Sequence, residues 1–173
     1  MSIFNYFAKL RVEIQRAIDH LWLHVRGMPQ VKRSMLTKNL FLGGQYSLRR
    51  ISSLKKLGIT AIVNMRMSAI HNPTAQQDFR ILHLPTPDFH APTLENLRKG
   101  VQFMDEEIKK GGSVYVHCHW GEGRGPSMVI AYLMFTGMTF QDAYEFVKKV
   151  RTFIRPTTTQ IDQLRQFEKE LAT

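Results

Sequence analysis

Cys118 and Arg124 stand six residues apart in the stretch His117-Cys-His-Trp-Gly-Glu-Gly-Arg-Gly-Pro126, and together they offer a sulfur nucleophile and a planar cation. Such a pair arises by chance in many chains, so its setting decides what it means. Residues 113–117 read as a strand from their alternation and their Val and Tyr content, and residues 127–135 are apolar enough for a buried helix. A strand, a glycine-rich turn and a helix opening near Pro126 gather backbone N–H groups around one point, an arrangement that binds phosphate. Pro126 suits a first helical position. Gly121, Gly123 and Gly125 are expected to supply the positive φ angles of a closed loop.

Those N–H groups, the helix N-terminus and the Arg124 guanidinium all favour negative charge, so Cys118 is expected to be a thiolate at neutral pH. Arg124 can hold two oxygens of a phosphate with its fork, which a lysine cannot do. Attack by sulfur on phosphorus requires a proton for the leaving oxygen, and Asp88 is the expected donor. It lies on a segment made irregular by Pro85, Pro87 and Pro92, which is expected to be mobile. Asp78 and His90 are its rivals. His117 is expected to be a structural hydrogen-bonding residue, and His119, Trp120, Gly121, Glu122, Gly123 and Gly125 complete the expected substrate-binding loop.

The elements that must position these residues follow from periodicity. Ile3, Phe7, Leu10, Ile14, Ile18, Leu21 and Val25 predict a helix over residues 3–26, broken at Gly27 and Pro29, with Lys9, Arg11, Arg16 and His20 on its other face. Its apolar stripe is expected to pack on the domain, with contact to an anionic membrane as the alternative. Strands are expected at residues 39–42, 59–64, 80–84 and 113–117, with a polar loop between the second and third. Helices are expected at residues 47–57 with Ser47 as cap, at 93–110, at 139–151 with a Thr139/Asp142 capping box, and at 159–171. The fold class is therefore α/β, a mixed and mainly parallel sheet flanked by helices, with the N-terminal helix (1–28) added to a catalytic domain (29–173).

The chain has 173 residues, a single cysteine and a net charge of +10. One domain fits that length, no disulfide can form within the chain, and anionic partners are favoured. No run of about 20 apolar residues is present, and the N-terminus lacks the pattern of a secretory signal. An intracellular, cytoplasmic monomer is expected. The groups Arg49, Arg50, Lys55, Lys56 and Lys148, Lys149, Arg151 read as solvated helix faces, no nucleic-acid signature accompanies them, and the methionines read as core filler. No metal or organic cofactor is implied.

These residues resemble the protein tyrosine phosphatase superfamily in its dual-specificity branch, whose signature of His-Cys, five residues and Arg is matched by residues 117–124. The resemblance extends to Leu40-Phe-Leu-Gly-Gly, Gly58-Ile-Thr-Ala-Ile-Val-Asn, the Asp88 segment and Ile154-Arg-Pro, and so covers residues 30–171. It implies hydrolysis of phosphotyrosine, phosphoserine and phosphothreonine esters in proteins through a cysteinyl-phosphate. Within that branch, Pro92-Thr-Leu-Glu-Asn-Leu-Arg-Lys-Gly-Val-Gln-Phe and Val114-Tyr-Val-His-Cys are similar to the mitochondrial phosphatidylglycerophosphate phosphatase group, which implies a phospholipid substrate as the alternative.

Gly125 departs from the family pattern, where a Ser or Thr hydroxyl follows the arginine and helps the sulfur leave; slow breakdown of the phospho-enzyme is the expected consequence. Glu122 opposes a polyanionic substrate if it faces the pocket. Two other readings use the same loop: a pseudophosphatase module that binds phosphorylated partners without turning them over, and a sulfur-transfer site of the rhodanese kind. Retention of Asp88 argues against both.

Overall fold

The computed structural model describes residues 3–28, 30–69 and 77–172; Pro29 and the middle of the polar loop lie outside this set. Five strands, β1 (Met35–Thr37), β2 (Leu40–Gly43), β3 (Ala61–Asn64), β4 (Arg80–His83) and β5 (Val114–His117), form one sheet in the order β1-β2-β5-β3-β4. The β1–β2 pair is antiparallel and every other pairing is parallel. The expected mixed, mainly parallel sheet is thus present, with β1 as a strand that the periodicity did not announce.

Strand alternation splits the core in two. Leu40, Leu42, Ala61, Val63, Val114 and Val116 face one cluster with Met104, Met128 and Val129, whereas Phe41, Ile62 and Tyr115 face the other with Tyr46, Ile51 and Leu54. The first face is covered by α3 (Leu94–Lys109), α4 (Arg124–Phe135), α5 (Phe140–Val150) and α6 (Thr158–Leu171). The second is covered by α2 (Ile51–Lys56). With both faces buried, the parallel strands read as continuous apolar runs.

Helix starts follow side-chain chemistry. Thr93 accepts from the Asn96 N–H at α3, Thr139 from Asp142 at α5, and Thr157 forms a full capping box with Gln160 at α6. The expected box at Thr139 is only half formed, because Asp142 Oδ2 accepts from the Thr139 hydroxyl rather than from its backbone. Ser47 is not the cap expected of it: a 3₁₀ turn, Leu48–Arg50, intervenes, and α2 begins after Arg50 with no side-chain cap. Helix α4 begins at Arg124, so Pro126 is its third residue, still within the turn whose N–H groups have no intrahelical partner.

Helix α1 (Ile3–Arg26) forms over the expected residues but is turned the other way. Asp19 and Leu23 are buried, while Phe7, Leu10, Ile14, Ile18, Leu21 and Val25 are 43–67% exposed. The polar side is held to the domain by side-chain bonds: Gln15 to Thr152, Arg16 and His20 to Glu122, and Asp19 to Arg151. The expected inward packing of the apolar stripe is therefore corrected. Among the described residues no helix is long and apolar enough to cross a membrane.

Candidate active site

β5 lies between β2 and β3, with Gly43 and Asn64 both in register with His117, so the parallel strands end together and their loops share one edge. In open α/β sheets this carboxyl edge is where ligands bind. Cys118 is the first residue past that edge and is 3% exposed. The Gly121 N–H donates to Cys118 Sγ at 3.2 Å, which closes the loop on the sulfur. Gly121 has φ 69°, and a Cβ there would lie 2.5 Å from the Gly43 carbonyl. Gly123 and Gly125 do not have positive φ. Space explains them instead: a Cβ would lie 2.9 Å from Gln160 Oε1 at Gly123, and 3.1 Å from Leu42 Cδ1 at Gly125.

Arg124 is 5% exposed at the start of α4. Its Nη1 donates to the Thr86 carbonyl at 2.9 Å, its Nη2 pairs with Asp88 Oδ1 at 2.9 Å, and its Nε has no partner among the described residues. The segment carrying Asp88 is fastened rather than loose. Thr157 donates to the Phe89 carbonyl and Gln160 to that of His90, both from the start of α6. Asp88 lines the cavity beside Cys118 and Arg124, and Phe89 lines it with φ 63°. Asp78 instead pairs with Lys55 at 2.6 Å, and neither it nor His90 lines this cavity.

The cavity measures about 370 Å³. His119, Trp120, Glu122 and Gly123 line it with Cys118 and Arg124. Trp120 stacks on His20 of α1 with centroids 4.2 Å apart, so it shapes the mouth and packs on a helix at once. Glu122 Oε1 lies 2.8 Å from Arg16 Nε and 2.6 Å from His20 Nε2, which offsets its negative charge. Its expected opposition to polyanions is blunted by that pairing. Burial, with Arg66 nearby, lowers the pKa of His119.

His117 is buried beneath the loop, stacked on Tyr115, with Nδ1 3.2 Å from the Cys118 carbonyl oxygen. Burial pushes its pKa down to about 4, so the ring is neutral at pH 7. Ser127 donates its hydroxyl to the Gly123 carbonyl at 2.9 Å and so turns it to the helix rather than the sulfur.

Arg151, expected on a solvated face, is fully buried. It donates to the carbonyls of Trp120 and Gly121, each at 2.7 Å, and pairs with Asp19. A signal was present in the sequence, because Arg151 follows Phe140, Ala143 and Val147 on the apolar face of α5 at helical spacing. Arg16 and Arg155 also line the cavity and were not singled out as site residues from the sequence.

A sulfur facing backbone N–H, a buried guanidinium and a carboxylate thus share one small cavity. The family model for the dual specificity phosphatase catalytic domain matches residues 40–170. Dual specificity protein phosphatase 1-A of Xenopus laevis is 33% identical over 134 residues, covering 76% of this chain and 36% of that protein. The chain therefore spans about a third of the length of such relatives. PTPMT1, solved in complex with PI(5)P, superposes with a TM-score of 0.74 at 28% identity, covering 79% of this chain and 94% of that one. The human tyrosine phosphatase-like serine/threonine/tyrosine-interacting protein does so with a TM-score of 0.72 at 31% identity, covering 81% of this chain and 97% of that one. By sequence and by fold, the chain belongs to the dual specificity phosphatase family.

Proposed function

We propose that the chain hydrolyses phosphomonoesters through a cysteinyl-phosphate, with phosphotyrosine, phosphoserine and phosphothreonine in proteins as substrates. The supporting observation is the meeting of Cys118 Sγ, the Gly121 N–H, Arg124 and Asp88 in one cavity. Sulfur attacks phosphorus in line, an S–P bond forms and the P–O bond to the leaving group breaks. Arg124 and the loop N–H groups hold the equatorial oxygens as charge shifts. Asp88, as the acid, protonates the leaving oxygen; as the carboxylate, it then takes a proton from the water that displaces sulfur. Every residue given a chemical role here falls within residues 29–173, α1 adds Arg16 to the cavity wall, and the chain is proposed to act as a monomer.

A second reading, a phospholipid headgroup as substrate, is favoured by the outward apolar stripe of α1. Its acidic residues are engaged, Asp19 with Arg151 and Glu13 with Arg155, whereas Lys9 and Arg11 are exposed. An apolar stripe beside exposed cations suits peripheral binding to an anionic membrane. The deciding experiment is phosphate release from a phosphotyrosine peptide and from phosphatidylglycerophosphate in mixed micelles, with wild type and Cys118→Ser. Release that depends on Cys118 supports hydrolysis, and the preferred substrate separates the two readings. Peptide binding through Arg124 without release would replace both with a docking module. Sedimentation with phosphatidylglycerol-containing vesicles, lost in an Ile14→Gln/Leu21→Gln variant, tests the membrane contact.

A further inference from the structure

Arg151 holds two successive loop carbonyls, and the peptide groups that carry them explain why this matters. In a trans peptide the C=O and N–H point in opposite directions. The Trp120 carbonyl accepts from Arg151 Nη2 at 2.7 Å, and the N–H of the same peptide, that of Gly121, reaches Cys118 Sγ at 3.2 Å. The Gly121 carbonyl accepts from Arg151 Nε at 2.7 Å, which turns the Glu122 N–H away from Arg151 in the same manner. One guanidinium thus sets the direction of the donors on the opposite side of the loop.

Arg151 is 0% exposed, and a buried cation needs a partner. Among the described residues its ion-pair partner is Asp19, with Nη2 and Oδ2 2.9 Å apart and the two residues separated by 132 in sequence number. Asp19 is itself 1% exposed, and its Oδ1 has no hydrogen-bond partner among the described residues. Neither helix capping nor contact with water accounts for a carboxylate placed there; Arg151 does. Asp19 also lies in the second half of α1, within a turn of Arg16 and His20, which hold Glu122 of the same loop.

We propose that Asp19 is a positioning residue for the catalytic loop, acting through Arg151 to orient the peptide whose N–H faces the sulfur, so that α1 is a working part of the site. The inference rests on reading that loop as a phosphate cradle.

The test compares wild type, Asp19→Ala, Asp19→Asn and Gln15→Ala as full chains. The readouts are kcat and KM for p-nitrophenyl phosphate, Ki for orthovanadate, and hydrogen exchange of the Gly121 amide by NMR. Asp19→Ala is expected to weaken vanadate binding and to lower kcat/KM by about 10- to 100-fold, with faster exchange at Gly121. Asp19→Asn, which keeps the shape without the charge, falls between. Gln15→Ala removes a neighbouring α1 contact that does not involve Arg151 and stays within about twofold of wild type, since that tether leaves the loop carbonyls untouched. A folded Asp19→Ala with unchanged vanadate Ki and Gly121 exchange overturns the proposal, and where that variant does not fold, unchanged values in Asp19→Asn do the same. An equal loss in Gln15→Ala also overturns it, because helix docking in general would then be responsible. Wild type that neither hydrolyses the ester nor binds vanadate defeats the phosphatase reading instead, and the Gly121 exchange still decides the role of Asp19.

Discussion

Asp88 Oδ1 sits 2.9 Å from Arg124 Nη2, a pairing between a carboxylate that is more than half exposed and a guanidinium that is almost wholly buried. The carboxylate therefore occupies a donor that the proposed mechanism gives to phosphate. Asp88→Ala should lower kcat for an aryl phosphate with a poor leaving group by about 10²- to 10⁴-fold, and much less for p-nitrophenyl phosphate, whose leaving oxygen needs little help. Inorganic phosphate should bind as tightly as to wild type or more so, since Nη2 is released. Steady-state kinetics across a series of leaving groups, with phosphate as inhibitor, check both expectations. Weaker phosphate binding in Asp88→Ala would contradict the competition.

Gly125 leaves the sulfur without the nearby hydroxyl that the family pattern supplies. A Cβ at this position would lie 3.6 Å from Cys118 Sγ, and Ser127 is already bonded to the Gly123 carbonyl. Wild type should therefore show a burst of p-nitrophenol followed by slow turnover as the phospho-enzyme accumulates. Gly125→Ser should shrink the burst and raise the steady rate by about tenfold, the size expected of one hydrogen bond to a departing thiolate. The nearest obstacle is the Leu42 Cδ1 methyl at 3.1 Å, the end of a flexible side chain. Rapid-quench kinetics that show no burst in wild type would sink the idea.

His117 links the site to stability. Burial lowers its pKa to about 4, against about 6.5 in an unfolded chain, so the unfolded state binds the extra proton between those values. Stability is then fully present above pH 6.5 and is lost as pH falls through 4, by about 3 kcal/mol from this residue. Urea unfolding at pH 7.5 and 4.5 should show the loss in wild type and a clearly smaller one in His117→Asn. Equal slopes in the two proteins would mean that other groups carry the acid sensitivity.

Much of the site was legible because its residues lie close in sequence. The alternation of β5, the glycines and Arg124 all fall within residues 113–125, and the prolines beside Asp88 mark an irregular segment at the end of β4. What escaped reading depends on tertiary pairing. Asp19 and Arg151 each look like one more charge on a basic amphipathic helix until the fold brings them together. The orientation of α1 departs from expectation for the same reason: burial of an apolar stripe is the usual outcome, but here several polar bonds fix the opposite face. β1 has three residues with only Leu36 buried, too short a pattern to stand out.

Gly121 and Gly111 both have positive φ, 69° and 85°, yet they should respond differently to alanine. At Gly111 nothing lies within 4 Å of a new Cβ, so Gly111→Ala faces only the left-handed backbone penalty, about 1–2 kcal/mol. At Gly121 the same penalty is joined by a contact of 2.5 Å with the backbone of Gly43, which β2 holds in register beside His117. The strand cannot yield without moving its neighbour, so the strain falls on the loop and draws the Gly121 N–H away from the sulfur. Gly121→Ala should therefore lose more stability than Gly111→Ala and about 10²-fold or more in kcat/KM, whereas Gly111→Ala keeps its activity. Thermal unfolding and p-nitrophenyl phosphate kinetics on the two variants separate backbone strain at a remote turn from strain in the loop that would carry the chemistry.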